Sequence, residues 1–218
     1  MTAEPTQSPP SPKKKLAVCM PIYNTDCKIY FALSLAQTQW PEDTEIMFLQ
    51  GMGMLTPNAC KQFVDASQKW GADHMMIVSV DVGWKPDAVI QLMAHNKPVI
   101  SGWASGRTSP FRCHAADVID IEKGVFKPVV DPENHHGLEQ VKAVGGELTI
   151  YNMDVFKAIP SPWFFGPETV ATGRQMSEDY FFALQAHKCG VEIWCDWDVQ
   201  LRHCVDGLTT LGGKLVTM

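Results

Sequence analysis

Across residues 16–102, short apolar runs alternate with amphipathic segments, and this alternation constrains the fold most. LAVCMPIYN (16–24) reads as a buried strand broken by Pro21 and leading into a polar loop. A helix follows over Ile29–Gln37, then a second strand, TEIMFLQGMGM (44–54), ending in a Gly-x-Gly turn. The next helix, Ala59–Trp70, places Phe63, Ala66 and Trp70 along one face and stops at Gly71. A third strand over 74–80, a helix opening near Asp87 and a fourth strand in Pro98–Gly102 complete the series. Strands alternating with helices predict a mostly parallel α/β sheet with helices on both faces and right-handed crossovers. The Gly-x-Gly turn is not a dinucleotide fingerprint, because the third glycine is missing and no helix opens on it.

A chain of 218 residues suffices for one domain with a sizeable core. The expected organisation is a disordered Pro/Ser/Thr-rich tail (1–14), a domain over 15–204 and a C-terminal tail (205–218). The domain divides into halves at 15–102 and 103–204. A net charge of −6 argues against broad nucleic-acid binding by bulk electrostatics but leaves room for a local basic groove. Lys13, Lys14 and Lys15 read either as a phosphate or acidic-surface contact or as a solvated lead-in to the first strand. Seven scattered cysteines without CxxC spacing suit free thiols in a reducing compartment. No run of 18 apolar residues exists, and the N-terminus lacks the apolar core of a signal peptide. The expectation is a cytoplasmic protein without a membrane partner.

Chemistry concentrates in a few stretches. In HMMIVSVDVGWKPD (74–87) the apolar run ends on Asp81, before a Lys-Pro pair and a helix. A carboxylate at the carboxyl end of a strand is well placed to hold a metal or a phosphate. Asp is also common in strand-end turns, so the residue alone leaves both readings open. Residues 103–142 are loop-rich with mixed charge and hairpin-like pieces around Gly124. His135 and His136 read as a surface loop rather than as metal ligands. GGELTIYNMDVFKAI (145–159) reads as a glycine turn, a strand and a short helix, and Gly145 and Gly146 permit close backbone approach. Trp163, Phe164 and Phe165 read as core closure or as an aromatic wall for a sugar.

In MSEDYFFALQAHKCG (176–190), Ser177 caps a helix, Glu178 and Asp179 occupy its first turn, and Gly190 ends it. Acids there stabilise the helix dipole, yet a core-anchored helix start also holds a carboxylate rigidly at a pocket rim. VEIWCDWDVQLRHC (191–204) alternates strictly, with His203 ending the apolar row. A lone inward histidine serves as a hydrogen-bonded core residue or as a ligand. Asp196–Asp198 fits either strand or turn.

Taken together, residues 16–204 resemble a nucleotide-sugar glycosyltransferase of the GT-A fold, of the inverting family 2-like group. LAVCMPIYN is similar to that family's first strand, which leads to the nucleotide base and brings Pro21, Tyr23 and Asn24 to the donor. Asn58 matches the Asn of an Arg-Asn pair near the nucleotide, with Pro57 where the Arg would stand. GADHMMIVSVDVGWKPDAV resembles the strand ending in Asp-x-Asp, with Ser79 replacing the first acid and Asp81 remaining. GGELTIYNMDVF resembles the strand after the acceptor loop, placing Gly146 at the donor. SEDYFFALQAHKCGVEIWCDWDVQLRH looks like the Glu-Asp helix and the following strand that ends in a metal-binding His.

The resemblance implies a Rossmann-like central sheet and transfer of a hexose from a nucleotide sugar, such as UDP-glucose, to an acceptor hydroxyl. It implies a divalent cation, Mn²⁺ or Mg²⁺, on Asp81 and His203, neutralising the diphosphate as the glycosidic bond breaks. It also implies Asp179 as the base that takes the acceptor proton, with Glu178 orienting the acceptor. The acceptor stays open among glycan, protein and a hydroxymethylated DNA base, as in small phage-type members of this fold. Arg107, Arg112 and Arg174 are the candidate acceptor contacts. The competing reading is a non-catalytic nucleotide- or glycan-binding protein on the same scaffold, which rests on Ser79 and Pro57. A nucleotidyltransferase would want a basic glycine-rich loop after the first strand, which PIYNTD lacks.

Overall fold

The computed structural model describes residues 13–23, 26–107, 112–120, 125–164, 176–205, 208–211 and 214–217. The elements, in order, are β1 (Lys14–Ile22), α1 (Ile29–Gln37), β2 (Thr44–Met52), α2 (Thr56–Trp70), β3 (His74–Val78), β4 (Val82–Gly83), α3 (Ala88–Ala94) and β5 (Val99–Trp103). They continue with β6 (Ala116–Asp120), β7 (Val125–Pro128), a 3₁₀ turn (Pro132–Asn134), β8 (Leu138–Val141), β9 (Leu148–Asn152), α4 (Val155–Ala158) and α5 (Glu178–Lys188). The last are β10 (Ile193–Gln200), β11 (Arg202–Val205), β12 (Leu208–Leu211) and β13 (Lys214–Thr217).

The central sheet has the order β2-β1-β3-β9-β5-β10-β8. Strands β2, β1, β3, β5 and β10 run in one direction, while β9 and β8 run against them. The mostly parallel sheet is therefore interrupted at its middle by β9, which pairs antiparallel with both β3 and β5. Alternating strand residues feed two cores, as a two-faced sheet requires. Ala17, Cys19, Met75, Ile77 and Tyr151 pack with α2, α4 and α5, through Phe63, Phe156 and Phe182. Leu16, Val18, Met76, Ile100 and Ile150 pack with α1 and α3, through Phe31, Val89 and Leu92.

Local chemistry explains the boundaries. Helix α2 admits Pro57 in its first turn, where no backbone donor is needed, and so starts before the expected Ala59. It closes on Gly71 at φ 73°, with Ala72 N–H donating to the Ser67 carbonyl. Pro21 does not break β1. Its register with β3 ends at Cys19, so Pro21 faces only β2, opposite Gly51. Strand β3 stops at Val78, short of the expected residue 80. The segment Asp196–Asp198 is strand rather than turn, and the buried Asp196 is compensated by His95 Nε2 at 2.9 Å.

The C-terminal segment is not a bare tail. Strands β12 and β13 form a hairpin that extends β11, and β11 pairs with β4 through Arg202↔Gly83 and His203↔Val82. The N-terminal tail over 1–12 lies outside the described residues. All seven cysteines are free, and five of them are buried.

One glycine tests the packing of β5 against β10. The register between them shifts after Cys195, bringing the Val199 backbone over Gly102. A Cβ on Gly102 would stand 2.3 Å from the Val199 carbonyl oxygen. Gly102→Ala is expected to destabilise the protein by about 1–3 kcal/mol, the usual range for overpacking. A urea denaturation curve should show a lower midpoint with an unchanged slope.

Candidate active site

The chain leaves β1 for β2 at one edge and returns past β1 to β3, so the strand order reverses between the adjacent strands β1 and β3. Open α/β sheets bind ligands at such a reversal, beyond the strands' carboxyl ends. A cleft of about 130 Å³ lies there among the described residues. Its wall includes Pro21 from the end of β1, Ser79 beyond β3, Gly146 and Glu147 before β9, and Glu178 and Asp179 from α5. Phe164 and Arg107 complete this side.

Asp179 lies in the first turn of α5, half-buried at the rim. Its Oδ1 accepts the Ser177 hydroxyl and, at 2.8 Å, the Tyr180 N–H. Ser177 thus holds the expected cap position but turns its hydroxyl onto Asp179 rather than capping the helix backbone. Oδ2 of Asp179 takes no hydrogen bond among the described residues. Burial raises the Asp179 pKa, and the Glu147 charge adds to the rise against the opposing hydrogen bonds. Glu178 is raised as well, by burial and by the Asp179 charge.

Glu147, which lines the same cleft, belongs to a cluster of three ligand-type side chains with His114 and His203, whose donor atoms all lie within 4.8 Å of one another. Strand β11 delivers His203, and the turn before β9 delivers Glu147. His203 is buried at 1% exposure, and its Nδ1–H donates to the Ser105 carbonyl at 2.6 Å. That bond leaves Nε2 as the lone-pair nitrogen, 3.8 Å from Glu147 Oε1. Burial lowers the His203 pKa, although Glu147 pulls the other way. His114 Nδ1 bonds Glu147 Oε1 directly. Burial works against a charged His114, but the Glu147 carboxylate and this bond prevail, and its pKa is raised. Burial likewise opposes a charged Glu147, yet His114, together with His203, holds its pKa below the ordinary value.

Gly145 is required by this cluster, since a Cβ there would lie 2.0 Å from Glu147 Oε2. Gly146, by contrast, faces open space. The donor set of two imidazoles and a carboxylate fits a divalent cation, with the second nitrogen of His203 anchored to a backbone carbonyl as metal-binding histidines commonly are.

Of the donor residues expected from sequence, Pro21, Ser79 and Gly146 line the cleft. Tyr23 is exposed at the end of β1, and Asn58 is exposed on α2. Neither is part of the cleft wall, and Asn24 lies outside the described residues. Asp81 follows β3 as expected, but its carboxylate is on Arg107, with Nη2 to Oδ2 at 2.8 Å. The carboxylate facing His203 is that of Glu147, a residue that sequence reading passed over together with His114. Arg107 lines the cleft itself, Arg112 is exposed beside it, and Arg174 lies outside the described residues. Trp163 and Phe164 belong to the core, Phe164 stacking on Phe182 with centroids 5.2 Å apart, while Phe165 is outside the described residues. His135 packs on Trp197 and bonds Glu139 on the surface, and Lys15 lies over Trp70.

These features define a GT-A glycosyltransferase-like fold, and similarity to solved structures supports it. The structure superposes on the crystal structure of A197 from STIV with a TM-score of 0.62, at 14% identity over 94% of each chain. It superposes on GalNAc-T7, solved with UDP, GalNAc and Mn²⁺, with a TM-score of 0.60 at 9% identity. That match covers 90% of this chain and 45% of GalNAc-T7. No protein-family model matches the sequence, and no curated protein aligns with it. No helix among the described residues is long and apolar enough to cross a membrane.

Proposed function

We propose that this protein is a cation-dependent glycosyltransferase that moves a sugar from a nucleotide sugar, of the UDP type, to an acceptor hydroxyl with inversion. One observation carries the reading. Asp179, whose Oδ2 takes no hydrogen bond among the described residues, lines the same cleft as Glu147, the carboxylate of the two-histidine, one-carboxylate cluster, at the sheet's ligand-binding end. Asp179 Oδ2 accepts the proton of the acceptor hydroxyl as that oxygen attacks the anomeric carbon, and Ser177 fixes the orientation of the carboxylate. Glu178 borders the same space and orients the acceptor.

His203 Nε2, Glu147 and His114 would hold the cation, whose positive charge stabilises the departing diphosphate. GalNAc-T7 was solved with UDP, GalNAc and Mn²⁺, which favours a UDP-sugar and Mn²⁺ here. The competing reading, a binding protein without turnover, keeps one observation in its favour: Asp81 is already paired, with Arg107.

The test is release of nucleoside diphosphate from a panel of nucleotide sugars with Mn²⁺, with Mg²⁺ and with EDTA. Glycan, peptide and hydroxymethylated-DNA acceptors are added in turn. Metal-dependent release from one donor, accelerated by one acceptor class, is expected. Nucleotide binding without release across the whole panel would favour the non-catalytic role.

A further inference from the structure

The segment that follows β5 is fixed at every step. The Ala104 carbonyl accepts the His114 N–H at 3.0 Å, and the Ser105 carbonyl accepts His203 Nδ1–H at 2.6 Å. A Cβ on Gly106 would approach His114 Nε2 to 3.1 Å, so a glycine lets the chain pass the ring closely. The next residue is Arg107, which thus leaves a backbone segment anchored by the same histidines that form the cluster.

The cleft wall carries the carboxylates of Glu147, Glu178 and Asp179, and Arg107 is its only Lys or Arg among the described residues. A donor bearing two phosphates would meet that negative wall, and among the described lining residues Arg107 is the Lys or Arg side chain available to offset it. The Arg107 side chain is 57% exposed and its partner Asp81 is 19% exposed. An ion pair with so open a member is screened by solvent and easily exchanged. A guanidinium also presents a planar fork that matches two phosphate oxygens better than one carboxylate oxygen alone.

We propose that Arg107 binds the diphosphate of the donor, and that Asp81 holds it at the cleft mouth until the diphosphate takes it. This rests on the donor carrying a diphosphate, as in the glycosyl-transfer reading. It moves Arg107 from the acceptor side, where the sequence alone put it, to the donor side. Asp81 then acts as a counter-ion that tunes donor affinity.

Inorganic pyrophosphate is the probe, titrated calorimetrically into the full chain in EDTA, so that no cation contributes. Arg107→Ala is expected to weaken binding about tenfold or more, as loss of a bidentate charged contact would. Asp81→Asn should strengthen binding in the wild-type background and have no effect when Arg107 is already Ala. Thermal melts confirm that each variant is folded. Equal pyrophosphate affinity with and without Arg107 would overturn the proposal, as would no binding by wild type and Asp81→Asn alike. The expected cycle together with no turnover of any nucleotide sugar would remove the transfer reading and keep Arg107 as a diphosphate ligand. Turnover together with a flat cycle would do the reverse.

Discussion

Replacing Asp179 with Asn is expected to lower sugar transfer by about 10²–10⁴-fold, the usual contribution of a positioned general base, while nucleotide binding persists. The amide keeps the shape of the side chain, and its oxygen can still accept from Ser177 and the Tyr180 N–H. What disappears is the ability to take a proton. The same logic fixes a pH profile. A general base must be ionised to act, and burial followed by the Glu147 charge raises the Asp179 pKa. The acid limb of kcat/KM should therefore lie above the ordinary aspartate value of about 3.9, with activity falling as pH drops through it. Ser177→Ala removes a hydrogen bond that favours the charged form, so it should move that limb further up. A residue that merely stabilised the dipole of α5 would contribute about 0.3–1 kcal/mol to folding. Its replacement would leave turnover intact, and that result would sink the assignment.

Much of the architecture was legible because it is periodic. The bounds of α1 fall where the sequence placed them, and the apolar row from Ile193 to His203 is buried as its parity predicted. Asp179 and His203 could be singled out because one falls in a first helical turn and the other ends an apolar alternation. Glu147 offered no such signal. It sits in a turn, and it becomes visible only when β9 inserts antiparallel between β3 and β5, bonding the Ser79 N–H to the Glu147 carbonyl at 3.0 Å. The nearby clue was Gly145, read as freedom for the backbone but needed as space for the Glu147 carboxylate. His114 is held by the loop after β5, a non-local contact that no spacing reveals. The C-terminal hairpin was different, since its signal was present. Gly212-Gly213 between LTTL and KLVT is a two-residue hairpin pattern. Asp81 shows the limit of reading a motif by position, because its partner Arg107 comes from another strand end.

Cation affinity should then follow Glu147 and His203 rather than Asp81. Glu147→Gln keeps the volume of a buried side chain and removes its charge, so Nε2 of His203 loses its anionic neighbour and His114 loses the carboxylate that raises its pKa. Loss of an outer partner of a metal ligand costs about 10–100-fold in affinity, and loss of the carboxylate itself should cost at least that in a Mn²⁺ titration. His203→Ala should weaken binding as well, but it also empties a fully buried space, so Glu147→Gln is the cleaner comparison, since cavity formation alone destabilises the fold. The direction expected for Asp81→Asn separates the two carboxylates. With its side chain on Arg107 rather than in the cluster, Asp81→Asn should change Mn²⁺ affinity far less than Glu147→Gln. If instead Mn²⁺ binding survives Glu147→Gln and vanishes in Asp81→Asn, the cation sits on Asp81, and Arg107 must vacate it whenever the metal binds.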